Sequence, residues 1–148
     1  MPGSSAGPPN PSRCLVLDSW PVMEWLKNRQ PVADFFPDLV SLAKLGQVEL
    51  LMSTINLGEI YYNWWNEWSE ARADQTLEVL RALPIMMIHP TEDDALLAPR
   101  VKGQHKVSYT DAFAAVVALE FNAPGLTGDP DFLKLRAANL IVVQWLGA

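Results

Sequence analysis

Four acidic residues of this 148-residue chain occupy positions at which an α/β protein could place catalytic carboxylates. Asp18 ends the apolar run CLVL, and Asp129 follows the short run GLT. Glu59 lies early in the segment after VELLMS, and Asp111 lies in the first turn of a predicted helix that begins near Ser108. Carboxylate oxygens are the ligands that Mg²⁺ and Mn²⁺ prefer, and such ions activate water and neutralise phosphodiester charge. These residues therefore indicate metal-dependent hydrolysis as the candidate chemistry.

Three of these acids also have a purely structural interpretation, which is favoured when each is taken alone. Asp18 could cap the helix that follows its strand. Asp111 stands three residues after Ser108, the spacing of a capping box. Asp129 and Asp131 lie in the Gly/Pro-containing stretch LTGDPDF, where they could serve as turn and cap residues.

Glu59 is harder to explain as a structural residue. On a helix it shares a face with Ile55 and Tyr62, and Leu57 and Ile60 flank it. A carboxylate among apolar side chains loses hydration and tends to protonate, unless a cation or a hydrogen bond keeps it charged. Several carboxylates at one place would repel each other, and divalent cations between them would offset that repulsion. The sequence leaves open whether one ion or two would bind.

The apolar runs predict an alternation of strands and helices. The strands are predicted at 13–18, 48–53, 85–89, in a short run at 125–130, and at 139–146. Proline is predicted to interrupt the second helix near Pro37 and to bend or shorten the helix that contains Pro99. This order of elements predicts a parallel sheet covered on both faces. Ligands of such sheets bind beyond the carboxyl ends of the strands, so the four acids are expected to converge there.

Composition sets the class of protein and the domain organisation. With 49% hydrophobic residues the chain is expected to fold as one domain at 14–148, after a flexible Pro/Gly/Ser-rich tail at 1–13. Neither a signal peptide nor a transmembrane segment is predicted. The single cysteine, Cys14, excludes an intrachain disulfide and is expected to be a buried core thiol. A reducing, cytoplasmic location fits this composition.

The net charge of −6 disfavours attraction of nucleic acid by the protein's overall field. Binding of RNA would need metal ions or a local basic patch. A loose basic cluster precedes the Asp111 helix and could be a solvated helix end or a set of phosphate contacts. Its members are Arg100, Lys102, His105 and Lys106.

An aromatic-rich segment follows Glu59, and one helix face cannot bury all of it. Most of these side chains could be core residues with some at a dimer surface, or they could form a groove for a partner helix. Both interpretations stay open. The residues are Tyr61, Tyr62, Trp64, Trp65 and Trp68.

Four stretches resemble the acidic motifs of PIN-domain ribonucleases, with the greatest likeness to the VapC toxins of toxin–antitoxin pairs. They are LVLDS at 15–19, INLGEIYYN at 55–63, SYTDAFAAVVAL at 108–119 and LTGDPDF at 126–132. Trp20 and Pro21 depart from the small or aliphatic residues usual after the first acid. The resemblance implies an α/β/α sandwich and Mg²⁺- or Mn²⁺-dependent RNA cleavage. It assigns the metal site to Asp18, Glu59, Asp111 and Asp129, with Ser19 as a supporting hydroxyl and Asp131 as a weaker fifth acid.

The expected function is therefore that of an endoribonuclease toxin of a VapBC-type pair, in which a metal-activated water attacks the phosphodiester. The resemblance implies an RNA substrate, an antitoxin protein partner and a homodimer, and Arg100, Lys102 and Lys106 are candidate RNA contacts. One alternative is a non-catalytic interaction module that uses the Trp-rich surface. A phosphotransfer or phosphatase domain with Asp18 as nucleophile is disfavoured, because the first strand lacks a DxD pair.

Overall fold

A computed structural model describes residues 13–147 of the chain. The predicted tail at 1–13 lies, except for Arg13, outside the described residues, so it stays a prediction. The described residues form five strands and seven helices. In chain order these are β1 (Cys14–Leu17), α1 (Ser19–Leu26), α2 (Val32–Lys44), β2 (Glu49–Ser53), α3 (Thr54–Glu67), α4 (Glu70–Arg81), β3 (Ile85–Ile88), α5 (Glu92–His105), α6 (Tyr109–Phe121), β4 (Gly125–Thr127), α7 (Asp131–Ala137) and β5 (Val143–Trp145).

The five strands form one sheet in the order β3-β2-β1-β4-β5, and every neighbouring pair is parallel. The strand order reverses at β1, where the chain crosses from the β2 side to the β4 side. Leu17 at the end of β1 pairs with Leu126 in β4, so the carboxyl ends of these two strands lie side by side. Such a reversal point is where open parallel sheets hold their ligands. The predicted parallel sheet is confirmed.

Alternation along the strands divides the apolar side chains between two cores, one on each face of the sheet. Cys14 and Val16 pack with residues of α5, α6 and α7. Leu15 and Leu17, which point the other way, pack with residues of α1 to α4. The three layers confirm the predicted α/β/α sandwich, and the Cys14 thiol is buried as predicted.

Helix α6 lies next to the reversal point of the strand order and is deeply buried. Every residue from Asp111 to Ala118 is buried, and several of them are alanines. Small side chains let this helix lie close to the sheet and to its neighbouring helices. The first turn of α6 is therefore fixed against the carboxyl ends of the strands, and Asp111 with it.

Pro37 and Pro99 lie inside the continuous helices α2 and α5, so the predicted interruption at Pro37 and the predicted shortening at Pro99 were wrong. Each proline removes one helical hydrogen bond and faces solvent, while buried neighbours such as Phe36 and Ala98 hold the helices in place. Helix α5 begins with a capping box formed by Thr91 and Asp94. None of the helices within residues 13–147 is long and apolar enough to cross a bilayer.

Candidate metal centre

The structure brings three of the four predicted acids together at the reversal point. Asp18 follows β1, Asp129 follows β4, and Asp111 lies in the first turn of α6. One oxygen from each carboxylate lies within 4.8 Å of one oxygen from each of the others. Asp18 is 2% exposed and Asp111 is 4% exposed. These three residues, hereafter the aspartate trio, could hold a metal ion.

The carboxylate of Asp18 does not cap helix α1, so that structural interpretation was wrong. Asp18 stands at the N-cap position, but its side chain makes no capping hydrogen bond. Its Oδ1 atom is buried and finds no hydrogen-bond partner among the described residues. A buried polar atom without a partner costs free energy, and such an atom needs a specific explanation. An oxygen positioned to bind a cation provides one.

The capping-box interpretation of Asp111 was also wrong, although Ser108 caps α6 as predicted. Ser108 Oγ accepts a hydrogen bond from the Asp111 amide at 3.1 Å. The reciprocal bond of a capping box is missing, because the Ser108 amide donates instead to Asp131 Oδ2 at 2.9 Å. The Asp111 carboxylate therefore does not accept the Ser108 amide, and one of its oxygens lies with those of the trio.

Asp131 connects α7 to the start of α6 and does not cap its own helix, which corrects the prediction for this residue. It is the first residue of α7, and Pro130 stands at the N-cap position. Partial burial alone would raise the pKa of Asp131, but hydrogen bonds from the Ser108 amide and the Asp111 carboxyl, together with the Lys134 ammonium 3.2 Å away, lower it overall. The turn is closed by Asp129, whose Oδ1 accepts the Asp131 amide at 2.9 Å. Asp131 therefore positions the trio from outside it.

The variant Asp131→Ala is expected to destabilise the protein by about 1 kcal/mol, as loss of a helix cap does. Asp131→Asn keeps an acceptor for the Ser108 amide and should recover at least half of that loss. Urea unfolding of both variants beside wild type measures the difference. Equal stability of Asp131→Ala and wild type would show that this bond does not hold α6.

Glu59 lies outside the trio, on the wall of the same cleft, where two hydroxyls bind its carboxylate. Ser19 Oγ donates to Oε1, and Thr110 Oγ1 donates to Oε2 at 2.6 Å. The buried Asn56 donates to Ser19 Oγ at 3.4 Å and to the Thr110 carbonyl at 3.2 Å. The sequence analysis missed Asn56 and Thr110. The position of Asn56, about one helical turn before Glu59 in an apolar stretch, was the available signal.

Burial and mutual repulsion both act on the trio's charges. Burial raises the pKa of Asp18 well above its usual range; the Thr127 side chain opposes this, and the charges of Asp129 and Glu59 add to it. Burial, together with the charges of Asp129 and Asp18, raises the pKa of Asp111 to about 9. Both shifts disfavour the ionised form in the protein alone, and a bound cation would reverse them.

A cleft of about 270 Å³ opens above the trio between α1 and α3. Its basic lining residues are Lys27 and Arg29, which the sequence analysis did not select. The predicted RNA contacts Arg100, Lys102 and Lys106 are not among its described lining residues.

Trp20, the residue that departs from the usual family pattern, packs on the turn that carries Asp129. A Cβ atom at Gly128 would lie 2.4–2.7 Å from three carbons of the Trp20 ring. Only glycine at this position lets the indole lie against the turn. Trp20 also lines the cleft, so this contact joins the cleft wall to the trio.

The variant Gly128→Ala is expected to displace the Trp20 ring and to destabilise the protein by about 1–3 kcal/mol. In a Trp20→Leu background the same substitution should cost much less, because the clashing ring atoms are gone. Thermal unfolding of the two single variants and the double variant measures this coupling. Additive effects would contradict the contact.

Comparison with known proteins identifies the family. The model of the PIN domain family matches residues 15–138 of this chain. The chain belongs to the PIN domain family. This PIN domain carries the aspartate trio within the matched region. No sequence among curated proteins matches the chain significantly.

Solved structures share the fold of this PIN domain at low sequence identity. It is similar to VapBC2 from Rickettsia felis bound to a promoter DNA fragment, with a TM-score of 0.69 and 14% identity over 90% of this chain and 98% of that one. It is also similar to DNA-bound VapBC from Salmonella typhimurium, with a TM-score of 0.66 and 15% identity over 88% and 96% of the two chains. For VapBC-5 from Mycobacterium tuberculosis the TM-score is 0.61, with 19% identity over 90% and 99%.

Proposed function

We propose that this PIN domain is an Mg²⁺- or Mn²⁺-dependent endoribonuclease whose metal is held by Asp18, Asp111 and Asp129. The observation that carries the proposal is the buried, unpartnered Asp18 Oδ1 atom beside oxygens of the two other aspartates. An all-oxygen donor set of carboxylates fits hard divalent cations. Membership of the PIN family supports the same assignment.

The chain's own residues supply the positioning. When bound, the ion supplies charge neutralisation at the phosphodiester and activation of water for in-line attack. Asp18 and Asp129, which follow two neighbouring strands, would hold the ion from the edge of the sheet, and Asp111 would add a ligand from the first turn of α6. Glu59, oriented by the hydroxyls of Ser19 and Thr110, supports the cleft wall beside the trio. Low exposure of Asp18 and Asp111 limits access of bulk water to their carboxylates, whereas Asp129 is partly exposed at the cleft.

Incubation of a mixed cellular RNA pool with the purified protein tests this function. Discrete fragments are expected with Mg²⁺ or Mn²⁺, none with a chelator, and none with the Asp111→Asn variant. Folding of that variant is checked by circular dichroism. Fragments that persist in the chelator, or that Asp111→Asn produces at the wild-type rate, would refute the metal-dependent mechanism.

We further propose that the protein is the toxin of a VapBC-type pair, inhibited by an antitoxin protein. The proposal is supported by the fold that it shares with VapBC structures, one of them described as a member of a toxin–antitoxin family. A homodimer and a cytoplasmic site of action belong to the same proposal. Induced expression in a bacterial host should arrest growth, and expression of Asp111→Asn should not.

An aromatic surface formed by α3 and its C-cap residue favours a second candidate function, that of a protein-interaction module. Trp64 is buried and the Tyr61 hydroxyl donates to Asp74 at 2.5 Å. Tyr62, Trp65 and Trp68, in contrast, are 66%, 45% and 52% exposed. An antitoxin or a second copy of this chain could cover them. A module without nuclease activity would keep its partner after acid-to-amide changes in the trio and would cleave no RNA.

A further inference from the structure

The outer part of the cleft carries two cations that the metal site does not use. Lys27 is the C-cap residue of α1, and Arg29 follows two residues later. Both line the cleft that contains the aspartate trio, and they are the only basic residues among its described lining. Helix α1 begins at Ser19 and has eight residues, so its two ends are about 12 Å apart.

Each cation is held by a glutamate. Lys27 Nζ lies 3.1 Å from Glu67 Oε2, at the end of α3, and Arg29 Nη1 lies 3.1 Å from Glu24 Oε2. The four side chains are all partly exposed to solvent. Ion pairs of this kind contribute about 0–1 kcal/mol, so another anion can replace the carboxylates at small cost.

We propose that Lys27 and Arg29 form a subsite for the phosphates of an RNA strand and that Glu24 and Glu67 compete with the strand for them. The proposal rests on the nuclease function proposed above. Both cations line the cleft that contains the trio, so a strand whose phosphodiester lies at the metal centre would place neighbouring phosphates beside them. Lys and Arg are the residues that neutralise backbone phosphates, and the acidic chain needs such local cations to bind RNA.

The basic cluster that the sequence predicted as the RNA contact, Arg100, Lys102 and Lys106, makes contacts outside the cleft. Lys102 Nζ donates to the Val107 carbonyl at 3.2 Å, and the Lys106 carbonyl accepts from Lys134 Nζ at 3.0 Å. These bonds hold the connection between α5 and α6. The cleft lining therefore favours Lys27 and Arg29 over Arg100, Lys102 and Lys106 as the subsite.

Binding of RNA to the Asp111→Asn protein, which is expected to leave the strand intact, tests the subsite. The probe is a fluorescein-labelled, mixed-sequence RNA of about 12 nucleotides, within the usual range of single-strand sites. Lys27→Ala/Arg29→Ala is expected to weaken binding about tenfold at low salt and to lower the salt-dependence slope by about 0.7 for each cation. Arg81→Ala, which also removes an ion-paired exposed arginine but lies outside the cleft lining, is the matched control.

Removal of the competing acids should have the opposite effect, which a merely structural role of the ion pairs would not produce. Glu24→Gln/Glu67→Gln is expected to tighten RNA binding several-fold, because it frees both cations. Glu78→Gln, whose glutamate pairs with Arg81 at 3.7 Å, controls for the general change in net charge. If Glu78→Gln increased the RNA affinity as much per removed charge as Glu24→Gln/Glu67→Gln does, the effect would reflect net charge alone. That result would overturn the proposed competition between Glu24 and Glu67 and the RNA.

Three further outcomes distinguish failure of this inference from failure of the nuclease function. Wild-type binding by the Lys27→Ala/Arg29→Ala protein, together with metal-dependent cleavage by wild type, would overturn the subsite alone. Loss of RNA binding only in an Arg100→Ala/Lys102→Ala/Lys106→Ala variant would also overturn the subsite alone. It would assign the phosphate contacts to the basic cluster before α6. A wild-type protein that neither cleaves the RNA pool nor binds the probe would overturn both.

Discussion

Asp18→Asn is expected to reduce RNA cleavage roughly 10³-fold, the loss typical of removing a group that stabilises transition-state charge. The substitution removes one anionic oxygen of the trio but keeps the size of the side chain. It should not lower the Tm of the metal-free protein at pH 8, because burial already disfavours the charge on Asp18. Cleavage rate and Tm are measured on the same preparation.

Asp94→Asn is the matched control for this result. Asp94 is also a buried aspartate, but it belongs to the capping box of α5, where its Oδ2 accepts the Thr91 amide at 2.9 Å. Loss of a charge at a helix start costs about 0.3–1 kcal/mol, so a small fall in Tm with unchanged cleavage is expected. If the two variants lost activity equally, the loss would reflect a general effect of buried aspartates and would contradict a special role of Asp18.

The second large effect is a dependence of stability on pH that a divalent cation removes. The pKa of Asp111 is about 9 in the folded protein and ordinary in the unfolded chain, so the folded state binds more protons between these values. Stability of the metal-free protein therefore falls as pH rises from about 4 to about 9. A cation that replaces the proton stabilises the fold most at the alkaline end of this range.

Thermal unfolding with and without Mg²⁺ measures this effect. At 100 times its Kd, Mg²⁺ adds about 2.7 kcal/mol, which corresponds to a rise in Tm of about 5–10 °C. The rise should be larger at pH 8 than at pH 6. Asp111→Asn should show a flatter dependence of Tm on pH in chelator and a smaller response to Mg²⁺. If Mg²⁺ left the Tm of the wild-type protein unchanged at both pH values, that result would contradict metal binding by the trio.

The sheet and the convergence of three candidate site residues could be predicted because local patterns determine them. Unbroken apolar runs such as the one at Cys14–Leu17 identify buried parallel strands. Asp18 directly follows β1, and Asp129 lies two residues after the end of β4. Residues that follow parallel strands lie at the same edge of the sheet, because the carboxyl ends of all the strands point to that edge. Helix α6 adds Asp111 by the same logic, since its start follows a cap residue visible in the sequence.

The roles of the supporting residues depended on long-range competition that no local pattern reveals. Asp111 and Asp131 could each accept the Ser108 amide, and the packing of α7 beside α6 decided for Asp131. Glu59 could have bound a cation or a hydroxyl, and the approach of Thr110 and Ser19 decided its contacts. These outcomes depend on distances between elements far apart in the chain.

The cations of the cleft were missed for a related reason. Lys27 and Arg29 follow a short helix and form no motif with the acids, whereas Arg100 and Lys102 stand close to Asp111 in sequence. The direction of α1 along the cleft, which tertiary packing sets, brings Lys27 and Arg29 to the site.

Binding of Mn²⁺ at equilibrium, measured by electron paramagnetic resonance at pH 8, tests the central claim most directly. It observes the metal centre without requiring that the RNA target be known. The account predicts saturable binding to wild type and to Asp94→Asn, and loss of at least one bound ion in Asp18→Asn. Equal binding by wild type and Asp18→Asn, or no saturable binding by the folded wild-type protein, would contradict a metal centre at the aspartate trio.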